Sequence, residues 1–475
     1  MATPDSSVSA DALIQSLKVI VGDAAVLTAE SDLEPYVTEW RGIERGHCIA
    51  AVRPATTAEV SQVMALCHAR GVPVTPQGGN TGLVAGAVPH GGIVLATDRM
   101  NRIRGLDADN ATMTVEAGCV LANAQAAAHD AGMVFPLSLA AEGSCHIGGN
   151  LSTNAGGNNT VRYGNTRDNV LGLEVVLPDG RIWDGMRALR KNNTGYDLKH
   201  LFIGAEGTLG IITAAVFRLI PAPANRETIL AACPDVQSVV DLFQRLRKAV
   251  GDQIMAYEMM PDDGLRLAEE HIPGVTCPFD ERHPYYALME ISSPAGIHGL
   301  RDGLEACLGE ALTAGLVADA VLAENAGQAN TLWKIREGIP AAQSMAGAVI
   351  KHDVSVPISA IPRFLEEGTR LMLSHVPNGR VVAFGHIGDG NIHFNMIQPS
   401  DMNRAAFLAL TEPVNLAMHT LTCRLEGSFS AEHGIGALKT GDMRHFRSEI
   451  ELELMRAVKQ AIDPTGIMNF GKVLP

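Results

Sequence analysis

Residues 136–164 carry Gly143, Gly148, Gly149, Gly156, Gly157 and Gly164 among Ser144, Ser152, Thr153, Asn154, Asn158 and Asn159. Side chains this small bury little apolar surface, so the segment cannot build a core of its own and reads as one long loop. The runs flanking it, 171–177 and 210–219, have the apolar, β-branched character of strands. A long loop held between well-formed strands is more often functional than disordered. Small hydroxyls, amides and exposed backbone suit the close approach of an extended polar ligand.

Upstream, residues 49–54 read as a strand, and Thr56 and Glu59 have capping-box spacing at the start of a helix that Gly71 ends. A second strand, 73–76, runs into Gln77-Gly78-Gly79-Asn80-Thr81-Gly82, where backbone N–H groups can cradle a phosphate. Taken alone, that glycine run reads first as an ordinary tight turn. Neither Gly-x-Gly-x-x-Gly after a strand nor a Gly-x-x-x-x-Gly-Lys-Ser/Thr loop occurs, which argues against a Rossmann dinucleotide site and against P-loop chemistry. A short amphipathic helix near 11–21, a strand at 112–116 and a helix at 121–131 capped by Gly132 complete this half.

Four blocks then stand in order: Gln77 to Gly82; Glu142-Gly143-Ser144 with Ile147-Gly148-Gly149-Asn150; Ser152-Thr153-Asn154-Ala155-Gly156-Gly157; and Gly204-Ala205-Glu206-Gly207-Thr208-Leu209-Gly210-Ile211. Together they resemble the FAD-binding domain of the vanillyl-alcohol oxidase type. The resemblance implies an α+β protein in which Gly78, Gly79, Asn80, Thr81 and Gly82 hold the pyrophosphate. It also implies that Pro136, Ser144, Gly149, Thr153, Asn154, Gly157 and Ile211 line the flavin and adenosine. Members that attach FAD covalently often carry His after the paired glycines; Asn80 stands there, so FAD is expected to be non-covalent. His146, inside this region, is expected to hydrogen-bond backbone.

The Pro221-Ala222-Pro223 stretch reads as a boundary. Beyond it strands and helices alternate, suggesting an antiparallel sheet with helices on one face, similar to the cap domain of the same flavoproteins. The expected division is an FAD-binding domain at 1–222, a cap or substrate domain at 223–421, and a helical C-terminal segment at 422–475 that packs back on the first. Asp389-Gly390 has the signature of a two-residue hairpin turn, and counting outward from it sets His386 opposite His393, with Cβ atoms about 5 Å apart. Asn395 shares their face. Such a pair is either two half-exposed cross-strand histidines or the start of a metal site. As a turn residue, Asp389 is expected to point away from them.

Arg336, Lys351 and Glu432-His433-Gly434 extend the resemblance to the D-2-hydroxyacid dehydrogenase branch, most closely the D-2-hydroxyglutarate dehydrogenases. It implies a divalent metal, zinc above others, on His386, His393 and Glu432, with His433 as catalytic base. Two imidazoles and a carboxylate suit Zn²⁺ and leave coordination positions for a 2-hydroxy acid. The metal would acidify the hydroxyl, His433 would take its proton, and the C2 hydride would pass to flavin N5. Arg336 and Lys351 would bind carboxylate, with Asn395 adding a hydrogen bond.

The pattern departs at Pro340, where the family has Thr four residues after the Arg. Proline offers neither hydroxyl nor N–H, so D-lactate, D-malate and glycolate stay open beside D-2-hydroxyglutarate. A flavin-free metal hydrolase would use the same His and Glu cluster but leaves the glycine-rich segment unexplained. The family further implies an electron-transfer flavoprotein or a quinone as electron acceptor, and a homodimer.

A net charge of −15 without a basic stretch argues against nucleic acid. The eight cysteines are scattered without a Cys-x-x-Cys pair, as reduced thiols are. With no leader-like N-terminus and no long apolar run, the expected location is cytoplasmic.

Overall fold

A computed structural model describes residues 10–294 and 299–475. The chain divides into two compact units, after Ala222 and again after Glu432. Residues 422–432 therefore group with the central unit, as does the short segment Gly157–Gly164, while His433–Pro475 belongs with the N-terminal part.

In the first unit, strands Ala50–Val52, Ile93–Ala96 and Val74–Gln77 run parallel, with Val26–Leu27 added antiparallel at one edge. The helix between the first pair in sequence, Thr57–Arg70, begins where Thr56 accepts from the Glu59 N–H. It stops at Gly71, whose φ of 62° few other residues tolerate. A five-stranded antiparallel sheet follows, ordered Ile103–Asp107, Thr112–Glu116, Ile211–Arg218, Val170–Val176, Ile182–Gly185. Its inner residues Met113, Val115, Leu173, Val175, Ala215 and Phe217 pack with Leu121, Ala124 and Ala128 of the helix Leu121–Asp130.

The glycine-rich segment is not all loop. Residues Ile147–Thr153 form a helix that buries Ile147 and Leu151, one turn apart, in the core of this unit, while Ser152 and Thr153 return their hydroxyls to the carbonyls of Gly148 and Gly149. Gly148 also lets that helix close on Ala117, whose Cβ would lie 2.8 Å from any Cβ added there. The tail carries two helices, Thr440–Phe446 and Glu449–Ile462, split by Ser448, which forms a capping box with Glu451. Met468 then bridges to Val74.

The second unit has a four-stranded antiparallel sheet ordered Ile254–Pro261, Tyr285–Ser293, Asn225–Cys233, Asp319–Leu322, and a three-stranded one ordered Val349–Ser355, Asn391–Ile397, Arg380–Phe384. An antiparallel bridge, Met259 to Gly385, joins them through hydrogen bonds of 2.9 and 3.1 Å. Helices cover both faces rather than one. Odd-numbered sheet residues such as Ile229, Met259 and Met289 pack with helices Val236–Val250, Leu300–Thr313 and Ile361–His375. Even-numbered ones such as Leu230, Met260 and Leu288 pack with Asp262–His271 and Ala326–Ala346. No helix among the described residues is long and apolar enough to cross a membrane.

Candidate active site

In the first unit, the loop after strand Val74–Gln77 opens a cleft. Gly78, Gly79, Asn80, Thr81, Gly82, Gly149, Thr153 and Ile211 line it, as the sequence suggests, and so does His433. The loop is pinned from behind. Gln77 donates to the Tyr36 and Ala87 carbonyls, and Asn80, in the left-handed region at φ 51°, donates to Pro35 and Thr38. Gly79 lies so close to the next wall that a Cβ would stand 2.2 Å from the Ser144 carbonyl oxygen.

A Cβ on Gly82 or Gly149 would instead meet nothing within 4 Å, so both open space where a ligand's backbone contacts fit. His146 also faces this cleft. Its Nδ1 is buried without a hydrogen-bond partner among the described residues, contrary to the backbone bond expected of it, and burial lowers its pKa. A long polar ligand with acceptor atoms, as FAD is, fits this lining.

Four further residues expected at the cofactor are not among those lining this cleft. Pro136 is buried away from the cleft lining, and Ser144 is exposed with its hydroxyl on Ala141. Asn154 ends the helix Ile147–Thr153 and accepts from the Arg167 N–H, and Gly157 groups with the second unit.

Glu206, not singled out from the sequence, is the charged group of this cleft. Its carboxylate accepts from the N–H groups of Ile435 and Gly436, both at 2.7 Å, in the loop that carries His433. Gly434 is obligatory beside it, since a Cβ there would lie 2.7 Å from Glu206 Oε1 and its φ is 79°. Burial raises the Glu206 pKa, against the two N–H groups and the charges of Lys439 and Lys472. The Asn469 amide donates to the Glu206 carbonyl at 2.7 Å, which ties the tail to the same point.

In the second unit, the two histidines meet by a different route from the one the hairpin count gives. Strand Arg380–Phe384 stops early, and His393 pairs in register with Phe384. Residues 385–390 form a longer connection, in which the N–H groups of Asp389, Gly390 and Asn391 all converge on the His386 carbonyl. Gly390 takes a positive φ but Asp389 does not, so a type I′ turn is absent. The register differs from the expected one by two residues, which preserves the face. The rings of His386 and His393 still come within 5.5 Å, and Glu432 joins them, with donor atoms of all three within 4.8 Å of one another. His386 Nε2 stands 3.7 Å from Glu432 Oε1. Ligands at about 2.0–2.2 Å from one ion are spaced only slightly closer than this, so the donor set fits a small divalent cation.

Two buried acids missed in the sequence organise this cluster. The Met259–Gly385 bridge brings Glu258 across from His386, and Glu258 Oε1 lies 2.5 Å from His386 Nδ1. That leaves Nε2 as the outward-facing nitrogen. Its other oxygen accepts from Arg336 Nε at 2.7 Å. Burial would raise the Glu258 pKa, but His386 and Arg336 outweigh it and hold the carboxyl ionised. Burial would lower that of His386, and Glu258 and Glu432 raise it instead. The second acid, Asp353, accepts from Asn391 at 2.8 Å and from the Glu432 N–H at 2.9 Å, fixing the backbone of a metal-ligand candidate. Glu258 left a signal in the sequence as an acid inside an apolar strand, Met255-Ala256-Tyr257-Glu258-Met259-Met260, whereas Asp353 follows Lys351 and His352 in a mixed strand and left none.

Arg336 lies on the helix Ala326–Ala346, buried, with its guanidinium 4.7 Å over the Phe384 ring. Because Nε is committed to Glu258, a carboxylate would be met by its Nη groups. Lys351 is exposed and pairs with Asn395 across the sheet. Asn395 is buried; it donates to Gln343 at 2.8 Å and accepts from the His352 N–H. Its amide is thus largely engaged by protein. His352 faces the opposite side of its strand, with Nδ1 on the Phe394 carbonyl. Asp389 does not sit apart as a turn residue would. Its carboxyl is half-buried, accepts from the Asn391 N–H and feels His386, Glu258 and Asp353.

This fold and these two sites define a class, and comparison with known proteins agrees. Residues 49–185 match the FAD binding domain family and residues 222–473 the C-terminal domain of FAD linked oxidases. Solved structures of p-cresol methylhydroxylase (TM-score 0.76, 16% identity, covering 97% of this chain and 96% of that one) and alkyldihydroxyacetonephosphate synthase (0.75, 17%, 99% and 86%) share the fold. Among curated relatives, the D-2-hydroxyglutarate dehydrogenase of Xanthomonas citri is 39% identical over 98% of this chain and 97% of its own length. The mitochondrial D-2-hydroxyglutarate dehydrogenases of Bos taurus (39%, 99% and 85%) and Arabidopsis thaliana (39%, 97% and 81%) are as similar.

The chain therefore belongs to the FAD-linked oxidases of the vanillyl-alcohol oxidase type, in the branch of the D-2-hydroxyglutarate dehydrogenases. Its activity is that of a flavin-dependent D-2-hydroxyacid dehydrogenase.

Proposed function

We propose that this dehydrogenase oxidises D-2-hydroxyglutarate to its 2-oxo acid, with FAD, held non-covalently, in the 78–82 cleft and a divalent metal, zinc before others, on His386, His393 and Glu432. The observation that carries the metal part is the convergence of those three donors within 4.8 Å. When bound, FAD supplies a hydride acceptor at N5 and the metal polarises the substrate hydroxyl.

The remaining work belongs to side chains. His433 follows Glu432 directly in sequence, so base and metal ligand share one segment. Asp353 holds the Glu432 N–H and Glu206 the N–H groups of Ile435 and Gly436, so the segment is anchored on either side of His433. His433 takes the hydroxyl proton, which builds the alkoxide character that expels hydride from C2. The Arg336 fork and the Lys351 ammonium bind carboxylate, and Asn395 contributes its second N–H. With this goes a division of labour: cofactor on the N-terminal unit, substrate and metal on the central one.

D-Lactate, D-malate and glycolate form the second reading, favoured by Pro340 inside the Arg336 helix, which leaves one hydrogen-bonding group fewer for a distal carboxylate. A kcat/KM series over the four acids tests the choice. D-2-Hydroxyglutarate leading by tenfold or more supports the first reading; D-lactate or glycolate leading rejects it.

A further inference from the structure

The strongest unassigned feature is a closed ring of contacts in the second unit. Glu258 touches His386, His386 faces His393 with ring centroids 5.5 Å apart, and His393 packs on Phe384 at 5.1 Å. Phe384 lies under the Arg336 guanidinium at 4.7 Å, and Arg336 returns to Glu258 at 2.7 Å. Glu258 has no exposed surface, and Arg336 and His386 have almost none. A carboxylate placed so is costly unless both oxygens are engaged. Here each oxygen holds a different functional group.

From this geometry we infer that Glu258 is a positioning residue that sets the metal site and the anion site together, through one carboxylate shared between His386 and Arg336. The inference rests on the metal and substrate reading above and adds to it the residue that ties the two sites. Through Oε1, Glu258 fixes the ring plane of His386, makes Nδ1 the protonated nitrogen and leaves Nε2 as the donor; carboxylates behind a ligating imidazole act in this way and raise its basicity. Through Oε2, it fixes the guanidinium so that the Nη pair is the part presented to an anion. Because the charge is shared, whatever draws it toward one partner is felt by the other. Cation binding at His386 and anion binding at Arg336 are therefore coupled, and by linkage equally in both directions.

The test uses FAD-loaded protein stripped of metal with a chelator. Zn²⁺ affinity is measured by calorimetry, and Co²⁺ absorption beyond the flavin bands reports ligand geometry. Glu258→Gln is expected to bind Zn²⁺ about 10–100-fold more weakly and to shift the Co²⁺ bands, with Glu258→Asp recovering part of the loss. Arg336→Met is expected to bind Zn²⁺ at least as tightly as the parent, since Glu258 then serves His386 alone, while losing affinity for the 2-oxo acid product. These opposite directions separate positioning from packing, which would weaken metal binding in both variants.

Parent-like Zn²⁺ affinity and Co²⁺ spectrum in Glu258→Gln, or equal weakening in Arg336→Met, would overturn the inference while leaving the metal site standing. If the parent itself takes up no Zn²⁺, the metal reading fails, and this inference with it. Should Glu258→Gln not fold, Glu258→Asp, which keeps the charge but shortens its reach, carries the same comparison against Arg336→Met.

Discussion

The carboxylate of Glu206 receives the backbone N–H of Gly436 at 2.7 Å and thereby fastens the loop carrying His433 to the wall of the cofactor cleft. A buried acceptor with two backbone donors is expensive to remove, because both N–H groups lose their partner. Glu206→Ala is expected to cost about 2–4 kcal/mol of stability and to slow flavin reduction more than tenfold. Stopped-flow reduction rates beside thermal unfolding check this. Unchanged reduction in a destabilised variant would confine Glu206 to stability.

Two glycines of the cleft are expected to respond in opposite ways. Gly79→Ala drives a Cβ to 2.2 Å from the Ser144 carbonyl oxygen, so protein and cofactor binding should both suffer. Gly149→Ala meets nothing within 4 Å and should leave the apoprotein as stable as the parent while weakening FAD. Unfolding temperature of apoprotein and FAD dissociation, measured side by side, distinguish them.

Asp389 carries a pH signature. Burial raises its pKa to about 6, partly offset by His386. An acid whose folded pKa is raised contributes stability fully present below its unfolded value and lost as pH climbs through the folded one. In metal-stripped protein, Asp389→Asn should therefore match the parent near pH 4 and exceed it by up to about 3 kcal/mol above pH 7. The asparagine oxygen can still accept from the Asn391 N–H. A stability difference that does not grow between these limits contradicts the assignment.

Arg336→Lys keeps the charge and loses the fork that can meet a carboxylate with Nη groups while holding Glu258 through Nε. KM for D-2-hydroxy acids should rise by about tenfold or more, with kcat falling less. An equal fall in kcat at constant KM would place Arg336 in the chemical step instead.

Helices with one apolar stripe were legible in the sequence, and the amphipathic helix expected near 11–21 runs Ala10–Val21 in the structure. So were the strands flanking the glycine-rich segment, where branched apolar residues leave few alternatives. What escaped depends on contacts distant in sequence. The His386–His393 register was misjudged because Asp389-Gly390 fits a tight turn locally, whereas the Met259–Gly385 bridge and the convergence on the His386 carbonyl impose a longer one. The helix at Ile147–Thr153 escaped because its apolar pattern is a single pair, Ile147 and Leu151, set among glycines and small polar residues. Family motifs brought out His386, His393 and Glu432, but not Glu258, Asp353 or Glu206, whose partners lie 128, 79 and 230 residues away.

The central claim is that FAD and a divalent metal on His386, His393 and Glu432 together oxidise a D-2-hydroxy acid. Its most direct test is the anaerobic visible spectrum of the purified protein with D-2-hydroxyglutarate, before chelation, after chelation and after adding back Zn²⁺. The flavin band should bleach, persist once metal is removed, and bleach again on restoration, with Glu432→Gln failing at every stage and the L-acid inert throughout. Equal bleaching before and after verified metal removal would contradict the metal's place in the reaction.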